Sequence, residues 1–328
     1  MMNNKLFFGV WIIVIISLAG CSEVNNTFLD PKGPIAAAQK EHFISIFLYS
    51  MLAAGPVLIL VPLILWRYRY KNKKASYTPN WEFSGLLEAV MWGVPVAIIF
   101  VLSVQLWDST KALDPYKPIE STSPALQVQV VGLDWKWLFI YPEHGIASVG
   151  ELAFPADRPV ALVLTSDTVM QSFMISALAG QIYTMPGMQT KLHLKADMPG
   201  VFEGQNTQFN GDGFPDQTFD AVAMSSGDFD RWVETVRRQG TALDQSNYSL
   251  LGKRSTAQEV HADLGTDLMP EGITYFNQVA PGLYASVIAR YHTGEDIPPT
   301  EQPGGAHYRP ASGVSLLAPA GHLQVEKE

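Results

Sequence analysis

The chain has 328 residues, enough for one large domain or two smaller ones, and its 47% hydrophobic content lies in the ordinary globular range. Charge is uneven: residues 113–328 carry 25 Asp/Glu against 13 Lys/Arg, whereas residues 1–112 carry 6 against 9. So acidic a C-terminal part excludes nucleic acid as a partner, and a single cysteine excludes a CxxCH haem attachment.

Residues 1–20 open with Asn3, Asn4 and Lys5, then run uncharged from Leu6 to Ser17. A short positive start before an apolar core too short to span comfortably predicts a cleaved secretory signal. The stretch ends Leu18-Ala19-Gly20-Cys21, which is similar to the lipobox of bacterial lipoproteins. In those proteins the thiol carries a diacylglyceryl group and the chain is cut just before it. Cys21 is therefore the expected lipidation site, followed by an external segment over 21–42.

Residues 43–66 are uncharged, and a helix of that length covers roughly 36 Å, enough to cross a membrane with some tilt. Pro56 and Pro62 predict kinks that neighbouring helices tolerate. A basic loop, 67–82, follows with Arg67, Arg69, Lys71, Lys73 and Lys74, which marks the cytoplasmic side. A second span is expected at about 86–107, interrupted only by Glu88. Both ends of this hairpin (43–112) then face outward, in agreement with export of Cys21. Glu88 lies near the cytoplasmic end and is read as a packing or subunit-interface group, with proton uptake as the competing role.

Residues 113–124 form a Pro-rich linker out of the membrane. Leu126, Val128 and Val130 alternate with Gln127 and Gln129, a half-buried strand. Trp135, Trp137, Phe139 and Tyr141 are expected on one face of the next. Further strands are expected at 159–165, 171–176, 190–196, 200–205 and 218–224, an all-β sandwich or barrel. In 228–239, Phe229, Trp232, Val233 and Val236 recur at helical spacing. Beyond 240 the signal weakens to an aromatic-rich patch over 273–291, with a short helix from Leu283, and a Pro/Gly-rich stretch over 294–309 to which no structure is assigned.

Two spans, a basic loop and an external sandwich with a Trp-x-Trp strand resemble subunit II of haem–copper respiratory oxidases. Glu88, Trp92 and Pro95 match that family's Glu-xxx-Trp-xx-Pro pattern. Gly132-Leu133-Asp134-Trp135-Lys136-Trp137 with Tyr141-Pro142 looks like its aromatic segment, and Met185-Pro186-Gly187 and Met198-Pro199-Gly200 fall at its turns. The resemblance covers roughly residues 30–240. It implies an α+β membrane protein, a two-helix transmembrane hairpin followed by a cupredoxin-like Greek-key β sandwich over 113–240. The region 241–328 looks like the C-terminal extension and tail of the quinol-oxidising branch.

The departures carry more information. The cytochrome-c-oxidising branch holds two copper ions with a histidine before Ser-Phe and with a Cys-x-x-x-Cys-x-x-x-His-x-x-Met loop. Here Gln171 precedes Ser172-Phe173, and Asn206, Asn210, Phe214 and Gln217 stand at the loop positions. Amides and a phenyl ring do not replace bridging thiolates, imidazole and thioether. The resemblance thus implies the quinol-oxidising branch, of which the bo-type ubiquinol oxidase is the example. It implies a supporting subunit with no catalytic centre or cofactor of its own, in a proton-pumping complex in the bacterial inner membrane. Haems, copper and the principal quinol site are expected in a large subunit I, accompanied by smaller membrane subunits, with no cytochrome c partner.

Trp135 matches the position of electron entry in copper-bearing relatives and, without copper, is expected in a core or interface role alongside Glu88 and Trp92. His193 shares strand parity with Lys191 and Lys195 and is expected in solvent. No histidine pair has zinc spacing, and no nucleophile elbow or phosphate-binding glycine loop is present. The rival reading is a free-standing lipoprotein that reuses the sandwich as a binding or sensor module.

Overall fold

The computed structural model describes residues 27–76 and 78–292. The signal segment, Cys21 and the tail from 293 lie outside the described residues. The chain divides into two compact units, residues 37–114 and residues 1–36 with 115–328.

The smaller unit is helical. α1 (Pro34–Arg67) starts at Pro34 rather than Phe43, and α2 (Gly85–Ala112) runs to Ala112 rather than Trp107. Both are long and apolar enough to cross a membrane. Ser84 caps α2, its Oγ accepting from the Leu87 amide, and Glu88 sits in the first turn, where a carboxylate favours the helix dipole. Large apolar side chains are exposed along both helices, including Leu48, Leu58, Leu65, Trp92 and Phe100. Such continuous apolar surface requires lipid or protein cover. His42 Nδ1 and Ser109 Oγ lie 2.9 Å apart and join the two helices near one end.

The larger unit contains β1 (Leu126–Leu133), β2 (Lys136–Tyr141), β3 (Ile146–Val149), β4 (Glu151–Pro155), β5 (Val160–Ser166), β6 (Gln171–Ile175), β7 (Ala179–Thr184), β8 (Thr190–Leu194), β9 (Gly200–Asn206) and β10 (Thr218–Met224). Then come α3 (Ser226–Gln239), β11 (Thr241–Leu243), α4 (Gln245–Leu251), α5 (Ala257–Leu264), β12 (Thr274–Val279) and α6 (Leu283–Ala289). One sheet has the order β11-β12-β3-β2-β1-β5-β8, the other β4-β10-β9-β6-β7. β1 pairs in parallel with β5, and β10 in parallel with β4, while the neighbouring hairpins are antiparallel. Strands that switch sheets in this way make the expected β sandwich.

The core lies between the sheets. Trp137, Phe139 and Tyr141 point into it at alternate positions, against Phe173 and Phe219 of the facing sheet. Trp137 meets Phe173 edge-on at 5.1 Å, and Phe139 meets Phe219 at 5.0 Å. Trp135 departs from the expected alternation. Leu133 pairs with Lys136, so Asp134 and Trp135 form a two-residue turn, where Trp135 adopts φ 67°. Tight hairpins call for that left-handed geometry, and it carries the Trp135 ring off the core face.

Residues 241–292 do not trail away from the sandwich. β11 and β12 extend the larger sheet beside β3. Val131, Leu133, Leu138 and Ile140, on the outer face of that sheet, pack with Tyr248, Leu251, Val260, Tyr284 and Val287. This explains why β2 is buried on both faces. His193 is half-buried rather than free in solvent: its backbone amide and ring Nδ1 both reach the Pro115 carbonyl, at 3.2 and 3.0 Å.

Candidate functional site

Because β1 and β5 are parallel, their C-terminal ends fall at the same end of the sandwich, and the β9–β10 loop closes over them. Four of the five positions that the resemblance sets against copper ligands meet there. Gln171 and Gln217 are fully buried, Asn206 is 4% exposed and Asn210 is half-buried.

Gln217 is the centre. Its Oε1 accepts from Asn206 Nδ2 at 2.9 Å and Asn210 Nδ2 at 2.7 Å. Its Nε2 donates to Gln171 Oε1 at 2.7 Å and approaches the Leu133 and Lys136 carbonyls. Gln171 Nε2 donates to the Leu133 carbonyl and to Thr168 Oγ1, at 3.0 and 2.9 Å. Asn206 Oδ1 accepts from the Ser172 and Gln208 amides. Side-chain amides therefore join the β1–β2 turn, the β5–β6 turn and the β9–β10 loop. Phe214 stays outside this network; its ring tilts against Phe209 at 5.7 Å.

Two glycines make room. A Cβ on Gly132 would meet Gln171 Oε1 at 2.5 Å, and one on Gly213 would meet the Trp135 ring at 2.2 Å. Trp135 thus lies over Gly213 beside the cluster, with its Nε1 donating to the Asn210 carbonyl at 3.4 Å. The structure brings Trp135 to the amide cluster. Glu88 and Trp92, one turn apart on α2, belong to the other unit and are exposed there.

The donor set does not suit copper. The lone pairs of Gln217 Oε1 and Asn206 Oδ1 are each used by two N–H donors, and neutral amide oxygens lack the softness that copper selects. No cluster of three or more His, Cys, Asp or Glu able to hold a metal occurs among the described residues.

Two charged groups flank the cluster, and sequence reasoning missed both. Asp167 is fully buried, accepting from the Tyr248 hydroxyl at 2.6 Å, Arg290 at 2.5 Å and the Tyr291 hydroxyl at 3.1 Å. Burial and this carboxylate together hold the Tyr291 hydroxyl well above the usual range. Lys136 is also fully buried, donating to the carbonyls of Asp134, Lys253 and Ser255 at 2.7–2.9 Å. Desolvation lowers its pKa to about 7, opposed by the charges of Asp134 and Glu259. Both groups fasten the C-terminal extension to the loops around the cluster.

The Lys136 shift has a testable sign. Between about pH 7 and 10.5 the unfolded chain keeps a proton that the folded chain releases. Stability from this group therefore rises with pH across that window, by at most about 1.4 kcal/mol per pH unit. Urea midpoints of the full chain in detergent should show this slope between pH 7 and 9.5. Lys136→Met should be less stable, because three carbonyls lose their donor, and should lose the slope.

The family model for the periplasmic domain of cytochrome c oxidase subunit II matches residues 145–215. Cytochrome bo(3) ubiquinol oxidase subunit 2 of Pseudomonas putida is 38% identical over 96% of this chain and 96% of its own length. Ubiquinol oxidase subunit 2 of Acetobacter aceti is 40% identical over 89% of this chain and 92% of its own. Among solved structures, the periplasmic domain of cytochrome oxidase subunit II of Bradyrhizobium japonicum aligns at 23% identity and TM-score 0.34. That alignment covers 36% of this chain and 98% of the domain. By its similarity to full-length relatives, the chain belongs to the ubiquinol oxidase subunit 2 family of the haem–copper oxidases.

Proposed function

We propose that this chain is a non-redox subunit of a respiratory terminal oxidase that takes electrons from ubiquinol and reduces oxygen to water with outward proton movement. One observation carries the reading: Gln171, Asn206, Asn210 and Gln217, the positions that the resemblance sets against the copper ligands of the cytochrome-c-oxidising branch, join in one hydrogen-bonded amide cluster. A quinol dissolved in the membrane delivers electrons directly to a haem-bearing large subunit and needs no external relay. Haems and copper then reside in that subunit, and this chain supports its assembly together with smaller membrane subunits. The similarity to oxidase subunits along nearly the whole chain favours this over a free-standing binding or sensor lipoprotein.

The same proposal assigns the chain to the bacterial inner membrane as a two-span protein, with the signal removed before Cys21, that thiol lipidated, and the sandwich outside. Five cations from Arg67, the last residue of α1, to Lys74 support this orientation. Glu88 and Trp92 share one face of α2, which suits an interface with the large subunit.

Purification in mild detergent tests the reading. A haem-bearing large subunit should travel with this chain, and oxygen uptake should follow added ubiquinol and not reduced cytochrome c. A solitary protein without haem, or uptake driven by cytochrome c, overturns it.

A further inference from the structure

The helical unit carries a groove of about 420 Å³ lined by Tyr49 of α1 and by Phe100, Val101, Val104, Gln105 and Asp108 of α2. The α2 residues recur at helical spacing on one face and extend over about 12 Å of helix. Polarity changes along this length. Phe100, Val101 and Val104 make an apolar end, whereas Gln105 and Asp108 make a polar end within two turns of Ala112.

Two features indicate what the polar end accepts. Asp108 forms no ion pair among the described residues, although Lys111 is one turn away. The Lys111 ammonium lies instead over the Trp107 ring, 4.4 Å from its centroid. Gln105 Oε1 is buried and has no hydrogen-bond donor among the described residues. A carboxylate and an amide oxygen therefore lie side by side with unused acceptor capacity. Trp107 and Lys111 also fix the depth, since Trp and Lys in membrane proteins collect at the headgroup level. A quinol ring would lie deeper, among the apolar residues.

On the reading that α1 and α2 cross the bilayer, we propose that this groove seats one phospholipid with a primary ammonium headgroup. Its acyl chain lies along Phe100, Val101 and Val104. Its ammonium donates to Asp108, with Gln105 completing the headgroup contacts. Such a lipid supplies the charge and donors the groove lacks and covers apolar surface that the hairpin leaves open.

The test uses the intact oxidase complex in nanodiscs made from equal parts phosphatidylethanolamine and phosphatidylglycerol, with retained lipids identified by native mass spectrometry. The wild type should retain phosphatidylethanolamine about threefold over Asp108→Asn, the size of one partly exposed ion pair. Phosphatidylglycerol should be unchanged in that variant. Val104→Trp, which fills the apolar end, should retain less of both lipids. Equal phosphatidylethanolamine retention in wild type and Asp108→Asn overturns the proposal. So does loss of ubiquinol rather than lipid, or cross-linking of Val104→Cys to another subunit, which would put a protein segment in the groove. Alkaline carbonate washing of membranes that hold the full chain with Cys21→Ala separates the two levels. Release of the chain refutes the spanning hairpin itself, whereas retention without lipid selectivity refutes only the seated lipid.

Discussion

Replacing Asp167 with alanine should destabilise the sandwich domain by about 3–5 kcal/mol, the usual cost of leaving a buried ion-pair partner uncompensated. Asp167 is fully buried, and the Arg290 side chain is 10% exposed. The carboxylate also takes hydroxyl bonds from Tyr248 on α4 and from Tyr291 beyond α6. Its loss should therefore act first on the extension, detected as faster proteolysis between residues 241 and 292 and a lower urea midpoint. Asp167→Ala with Arg290→Met removes both charges and should recover a large part of the loss. If the single variant unfolds with an unchanged midpoint, the carboxylate does not hold the extension.

Gln217→Leu should cost about 2–4 kcal/mol. The change leaves Gln171 Oε1 and the Asn210 amide without their partner and takes one acceptor from Asn206, each in or beside a buried setting. The distinguishing result is the coupling. Gln171→Met combined with Gln217→Leu replaces both partners of a hydrogen bond with apolar groups, so the double variant should lose at least about 1 kcal/mol less than the sum of the singles. Strict additivity, read from urea midpoints of the full chain in detergent, would mean that the amides do not act as one cluster.

Much of the architecture was legible because its signals are local. Long uncharged runs give α1 and α2, and alternation in Leu126, Val128 and Val130 gives β1. Helical spacing of Phe229, Trp232, Val233 and Val236 gives α3. Gln171, Asn206, Asn210 and Gln217 were singled out in the sequence only through a resemblance that aligns them with metal ligands. Their mutual bonding was not legible, because it depends on β1 and β5 ending together and on Gly132 and Gly213 admitting Gln171 and Trp135.

Other features escaped for identifiable reasons. Trp135 obeys strand alternation in the sequence, yet the turn it occupies overrides that pattern. Leu138 and Ile140 are apolar on the face opposite Trp137 and Phe139, a signal that β2 is covered on both sides. That signal pointed to a packed extension where the weak patterning after residue 240 did not. Asp167 and Lys136 carry no local mark at all; their partners lie more than a hundred residues away in the extension, apart from Tyr248 and Asp134.

Copper analysis of this chain, separated from its partners in mild detergent, tests the absence of a copper relay most directly. Gln217 Oε1 and Asn206 Oδ1 each already accept from two N–H donors, and the only cysteine is at position 21. The full-length chain should therefore hold only substoichiometric copper after equilibration with copper and dialysis, while the intact complex oxidises ubiquinol. Stoichiometric copper retained by the sandwich domain, with loss of that copper in Gln217→Leu, would contradict it.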